Sequence, residues 1–226
     1  MTPLPGIDPR LTAASPPTAA ALAGLSTVVD TDGALPRWLK HLLVACAAVV
    51  KGLDDEVERW VASALAAGAT PAQVVAIAVD VTLSRGPHLA GRLLAALDAA
   101  GAEVPGGPLP GQDAIPVDPT PEDVRAYFTG VFGAVPDRVA LLLDECFPAM
   151  RAYHLMRQAG LEGSVVAAHH LELVLVVLNA AEYQPVYVEV HARGAREKGA
   201  TETELVEACV CAIPVAGVAA WLPASQ

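Results

Sequence analysis

The sequence predicts an all-α protein made of two pseudo-repeated helical bundles, and three observations carry that expectation. Hydrophobic residues make up 54% of the chain but aromatics only 4%. The core must therefore be packed from Ala, Val and Leu, which suits close helices better than strands rich in aromatic and β-branched side chains. The apolar runs are punctuated by helix caps, and no Asn-Gly hairpin signal occurs. Finally, sliding the chain on itself by 131 residues places Ala64–Val74 over Ala195–Leu205, the mark of an internal duplication.

Along the chain, residues 1–34 read as an N-terminal arm: 1–20 are rich in Pro, Ala, Ser and Thr, and a short helix follows Pro16-Pro17. Residues 35–100 form the first repeat, with helices expected near 36–51, 53–67, 71–84 and 87–100. Gly68 ends one of these helices and Thr70, with Gln73 three residues on, starts the next as a capping box. Pro71 sits where its missing N–H costs nothing. Residues 101–119 hold Gly106-Gly107-Pro108, Pro110-Gly111 and Pro116, a linker composition. Residues 120–226 form the second repeat with its leading helices. Thr120-Pro121-Glu122-Asp123 caps a helix to about Phe132, and another covers 137–158 with a break at Pro148. Helices are then expected near 164–179, 181–198, 202–212 and 214–222. Gly199, Thr201 and Glu204 reproduce the stop and start of the first repeat, and the same shift pairs Glu58 with Glu189 and Gly86 with Gly217.

Charge and cysteine spacing narrow the function classes. Fourteen basic against 25 acidic residues give a formal charge of −11, which repels phosphate backbones and argues against nucleic-acid binding. The runs Leu42–Val50 and Ala208–Leu222, the latter interrupted by Pro214 and Gly217, fall short of the ~20 residues that span a bilayer. No basic region followed by an apolar stretch opens the chain, so a cytoplasmic protein without a leader or a membrane partner is expected. Cysteines 46, 146, 209 and 211 form no Cys-x-x-Cys pair and read as buried core thiols rather than a disulfide or zinc framework.

The second repeat carries a further pattern. Glu172-Leu173 is followed by Gln184, Tyr187 and His191, then Gly199-Ala200-Thr201, Glu204-Leu205 and Ala216-Gly217. This resembles the carboxymuconolactone decarboxylase and alkylhydroperoxidase D superfamily, well over about 146–222 and more weakly over 35–100. The resemblance implies that fold, with Glu172 and His191 as a proton-handling pair beside a substrate and neither cofactor nor metal. It also implies a ring of six units, which two repeats per chain would build as a homotrimer whose sites use walls lent between repeats. Where the peroxidase branch carries two cysteines, this chain has Gln184 and Tyr187. Neither supplies a thiolate, so peroxide reduction at this site is excluded. The first repeat has His41, Leu53, Glu56 and Trp60 at those positions and is degenerate or repurposed.

The residues allow the same chemistry by themselves. Gln184, Tyr187 and His191 fall on one stripe of a helix, and His169 and Glu172 share a face of the helix before it. Together they offer a carboxylate, an imidazole, a phenol and an amide, enough for general acid/base catalysis. Tyr187, Gln184 and His191 can also donate to a developing enolate. Glu172 serves either as base or as the group that orients His191. Buried in a Val- and Leu-rich helix, it should titrate high unless a partner stands nearby. Each of these residues also has a packing role open to it. His169 and His170 point about 100° apart, so one of them at most faces Glu172. A metal set of His169, Glu172 and His191 is the sharpest competitor, though no spacing demands it. Arg85 and His88 flank a helix start where an anion can dock. The reading is a cofactor-independent lyase or isomerase catalysing proton transfer, with or without loss of CO₂. Its substrate is a carboxylated, lactone-like or polyketide-like small molecule. Glu172, His191 and Tyr187 are catalytic, and Gln184, His169, Trp60, Glu56 and His41 contact substrate. The alternatives are a cyclase or aldol-type enzyme of a specialised pathway, or a non-catalytic paralogue that binds a ligand or supports an oligomer.

Overall fold

The computed structural model describes residues 7–162 and 165–222. Among them are twelve α-helices and no strand. In the first half these are α1 (Pro9–Ala14), α2 (Pro16–Val29), α3 (Arg37–Lys51), α4 (Asp54–Ala66), α5 (Pro71–Arg85) and α6 (Pro87–Ala99). The second half holds α7 (Pro121–Phe132), α8 (Asp137–Glu145), α9 (Phe147–Leu161), α10 (Ala168–Ala181), α11 (Pro185–Glu197) and α12 (Glu202–Ala216). The shift of 131 relates α3, α4 and α5 to α10, α11 and α12. It also relates α2 to α9, a pair the sequence reading did not make. Residues 9–29 are therefore helical where a loose arm with one short helix was expected. Ser15 caps α2 by accepting from Thr18 N–H, and Pro16 and Pro17 occupy positions whose N–H groups would have gone unused.

The repeats interlock. The buried helices α3 and α10 pack on each other, α4 lies across α3, and α11 lies across α10. The equivalent helices α5 and α12 each cross to the other repeat, α12 onto α3 and α5 onto α9 and α10. One apolar core consequently runs through both repeats, from Leu39, Leu42 and Leu43 to Leu173, Val176 and Val177. Each fully buried Leu or Val contributes roughly 1.5–3 kcal/mol relative to exposure. A smaller cluster of Val124, Phe128, Val139, Leu143 and Met150 joins α7, α8 and α9.

The boundaries follow the caps. Thr70 with Gln73, Thr120 with Asp123 and Thr201 with Glu204 each form a complete capping box. Gly86 (φ 81°, ψ 166°) and Gly217 (φ 77°, ψ 172°) end α5 and α12 in a conformation essentially confined to glycine. α12 runs through Pro214 to Ala216, and a single 3-10 turn, Val218–Ala220, replaces the helix expected over 214–222. Among the described residues, no helix is long and apolar enough to cross a membrane.

Candidate functional site

Helices α10 and α11 form a tight antiparallel pair because only Glu182, Tyr183 and Gln184 separate them. Tyr183 takes φ 60°, a left-handed conformation that costs a non-glycine residue roughly 1–3 kcal/mol. Its hydroxyl donates to the Ala216 carbonyl at 2.8 Å and its ring lies 4.2 Å from Lys51 Nζ, so the turn is held in place. Folded this way, Glu172 and His191 meet: Nδ1 of His191 lies 2.9 Å from Oε2 of Glu172. Lys198, which caps the end of α11, donates from Nζ to Oε1 at 2.9 Å.

The carboxylate is 3% exposed. Burial pushes its pKa up, but the His191 hydrogen bond and the Lys198 charge outweigh burial and hold it below the usual carboxylate value. Glu172 is thus an ionised acceptor at neutral pH. It fixes the tautomer in which His191 donates through Nδ1–H and keeps a lone pair on Nε2. Of the two roles left open, orienting His191 fits this geometry. Gly194, one turn beyond His191, makes the approach possible, because a Cβ there would stand 2.9 Å from the carboxyl carbon and from Oε1 of Glu172. A carboxylate pinned on both oxygens cannot swing aside cheaply. Gly194→Ala is therefore expected to lower the melting temperature, because displacing Glu172 from both partners outweighs the ~1 kcal/mol an alanine gains mid-helix. Thermal melts of variant and wild type check this.

His191 opens onto a cavity of about 570 Å³. Its walls come from both repeats: Leu83, Ser84 and Arg85 from the end of α5, Tyr153 and Arg157 from α9, Leu175 and Asn179 from α10, Glu182 and Gln184 from the turn after it, and Tyr187 from the start of α11. Arg85 donates to Asn179 Oδ1 at 2.9 Å and pairs with Glu182 at 2.6 Å. The Nε atoms of Arg85 and Arg157 are buried without a hydrogen-bond partner. Two guanidinium groups at a cavity wall favour an anionic oxygen there. Asp80, one turn before Leu83, has both carboxylate oxygens buried and unpartnered. Burial first, then the Glu172 charge, pushes its pKa well above the usual range, against the opposing pull of Lys198 and Arg157.

The sequence-predicted residues divide between this cavity and other places. His191, Tyr187 and Gln184 line it, and Tyr187 is 57% exposed at its mouth. Glu172 lies behind His191 rather than in the wall. His169 stands with His170 against Glu204, each Nε2 3.7 Å from Oε1, so the metal set His169, Glu172 and His191 is not assembled. His41 and Trp60, equivalent to Glu172 and His191, also touch, with ring centroids 5.3 Å apart. His41 Nε2 lies 2.9 Å from Asp30 Oδ1, Glu56 pairs with Arg59, and none of these three lines the cavity. Arg85 does line it and His88 does not. No cysteine is in the wall: Cys46, Cys209 and Cys211 are buried as expected, whereas Cys146, between α8 and α9, is exposed rather than a core thiol; burial raises each buried thiol, that of Cys209 to about 12. Lys198, Arg157, Asp80 and Gly194 were not anticipated. Only Gly194 carried a local signal, since a mid-helix glycine costs about 1 kcal/mol relative to Ala and so points to a close approach.

Comparison with known proteins gives a consistent picture. A model of the carboxymuconolactone decarboxylase family matches residues 16–99 and 148–226, the two copies of the repeat. A crystal structure named as a gamma-carboxymuconolactone decarboxylase subunit of Burkholderia xenovorans LB400 superposes with a TM-score of 0.56. The alignment has 18% identity and covers 97% of this chain and 89% of that one, a likeness of fold. No curated protein matches the sequence significantly.

Proposed function

The chain belongs to the carboxymuconolactone decarboxylase family, and from that premise we propose that it is a cofactor-independent lyase or isomerase. It moves a proton on a small carboxylated, lactone-like or polyketide-like molecule. The observation that carries this reading is the Glu172–His191 pair backed by Lys198, with the imidazole alone of the three facing a cavity that also holds Arg85 and Arg157. Arg157 and Arg85, in the cavity wall, bind a substrate carboxylate through their guanidinium groups. His191 Nε2 takes a proton from carbon or returns one to it. Tyr187 and Gln184, at the mouth, donate to the enolate oxygen formed in between. If CO₂ is lost, the C–C bond breaks, its electron pair enters the adjacent carbonyl to give the enolate, and protonated His191 delivers a proton to carbon. A carboxylate gripped by arginine is stabilised in the ground state and resists that loss. The leaving carboxylate therefore lies against the apolar Leu83 and Leu175 side of the wall, and the arginines hold a second anionic or carbonyl oxygen. This site is not built for thiol chemistry, since its wall offers imidazole, phenol, amide and guanidinium groups. A homotrimer of six repeats belongs to the same reading. It is supported by the exposed Val186, Tyr187 and Val190 beside the cavity mouth and by the description of the structural neighbour as a subunit.

The test uses the purified chain with a panel of carboxylated lactones and β-keto acids in D₂O, followed by NMR. Deuterium incorporation at carbon, or CO₂ release, is expected for at least one substrate and disappears in His191→Ala. Turnover that persists in that variant overturns the assignment. Ligand binding without exchange or CO₂ release across the panel favours the non-catalytic paralogue instead.

A further inference from the structure

Outside the cavity, three metal-ligating side chains converge at the beginnings of α10 and α12. His169 and His170 occupy the first turn of α10, and Glu204 the first turn of α12. One ligating atom from each lies within 4.8 Å of the other two. Both Nε2 atoms stand 3.7 Å from the same Glu204 Oε1. That distance is too long for a hydrogen bond, yet two donors that each lie a little over 2 Å from a common centre stand about that far apart. We infer that His169, His170 and Glu204 form a site for one divalent transition-metal ion of the zinc type, with solvent completing the coordination.

The state of each donor suits that role. Glu204 accepts on Oε2 from the N–H and hydroxyl of Thr201, which leaves Oε1 available. Two imidazoles and one carboxylate are a donor set that zinc accepts, at a net charge of −1. The N-termini of α10 and α12 oppose a cation in their first turns, and the negative charge of Glu204 counters that field. The side chains are 25%, 15% and 13% exposed, so an ion can enter from solvent.

The repeat provides an internal control. The equivalent residues in the first copy are Trp38, Leu39 and Gln73, and that copy folds with the same helices and the same capping box. Two histidines and a carboxylate are thus no requirement of the bundle, and a bound ion would tie α10 to α12 in the second copy alone. Since Gln73 completes a capping box in the first repeat, Glu204→Gln keeps the cap while removing the anionic ligand.

The experiment is calorimetric titration of the metal-stripped full chain with Zn²⁺, paired with thermal melts. Wild type is expected to bind one ion per chain and to melt higher with zinc than with chelator. His169→Ala, His170→Ala and Glu204→Gln should each weaken binding about tenfold or more and lose the zinc-dependent rise, while their far-UV circular dichroism in chelator stays that of wild type. No zinc binding by wild type overturns the inference. So does binding that survives in the triple variant, which would place the ion elsewhere. None of the three lines the cavity, so this result is independent of the catalytic assignment.

Discussion

Replacing His191 with Ala is expected to lower turnover by about 10²–10⁴-fold, the range over which a positioned acid/base group contributes. A carboxylate ligand should still bind, because Arg85 and Arg157 are untouched. Glu172→Gln should cost a similar factor for a different reason. The amide lacks the charge that fixes Nδ1–H and stabilises the imidazolium, and it leaves Lys198 facing a neutral partner. Because the two residues act as one unit, the double variant should be little worse than the poorer single variant. Glu172 is held below its usual value by His191 and Lys198, against the upward push of burial, so direct titration of its carboxyl, for instance by NMR, should find it ionised to below the ordinary carboxylate range. Steady-state kinetics on variants shown to fold by circular dichroism decide the matter. Wild-type rates in both single variants would remove the pair from the mechanism.

What the sequence made legible was whatever repeats or caps locally. The 131-residue shift, the Gly68 and Gly199 stops and the Thr70 and Thr201 starts located α3–α5 and α10–α12 to within a few residues, because cap chemistry acts over three or four positions. The helix after Pro16-Pro17 was expected, but its full length to Val29 and the preceding α1 were not, because this Pro-, Ala- and Ser-rich stretch carries little amphipathic pattern; packing against α12 and the Ser15 cap decide its state. At the site, Glu172 and His191 were legible through the family pattern. The expectation of a partner for a carboxylate in an apolar helix led toward Lys198 without naming it. Arg157 and Asp80 had no such route. Each is a single residue on another element, and only the crossing of α5 over α9 and α10 brings them close. Lys40, buried at 1% exposure within the apolar α3 and 3.4 Å from Glu207, is hidden in the same way. Tertiary crossings, not local periodicity, set these neighbours.

Asp80→Asn is expected to stabilise the protein, and by more as pH rises. Asp80 is fully buried with neither oxygen hydrogen-bonded, and burial, with the Glu172 charge, keeps its carboxyl protonated well above its ordinary 3.8. The unfolded chain releases that proton near 3.8 while the folded chain keeps it. The stability associated with Asp80 is therefore fully present below the unfolded value and declines by about 1.4 kcal/mol per pH unit until the folded value is reached. Asn is close in shape and has no charge to desolvate, so the variant escapes this loss. The melts of wild type and variant should thus converge near pH 4 and separate as pH rises toward 8. Glu172 has the opposite sign, with a contribution present above its unfolded value and lost on acidification. That loss is common to both proteins and cancels in the comparison. The groups able to reverse the outcome are Lys198 and Arg157, which favour an ionised Asp80. An Asp80→Asn protein less stable than wild type at pH 8 would mean that they prevail, and that the carboxyl beneath the cavity carries a charge.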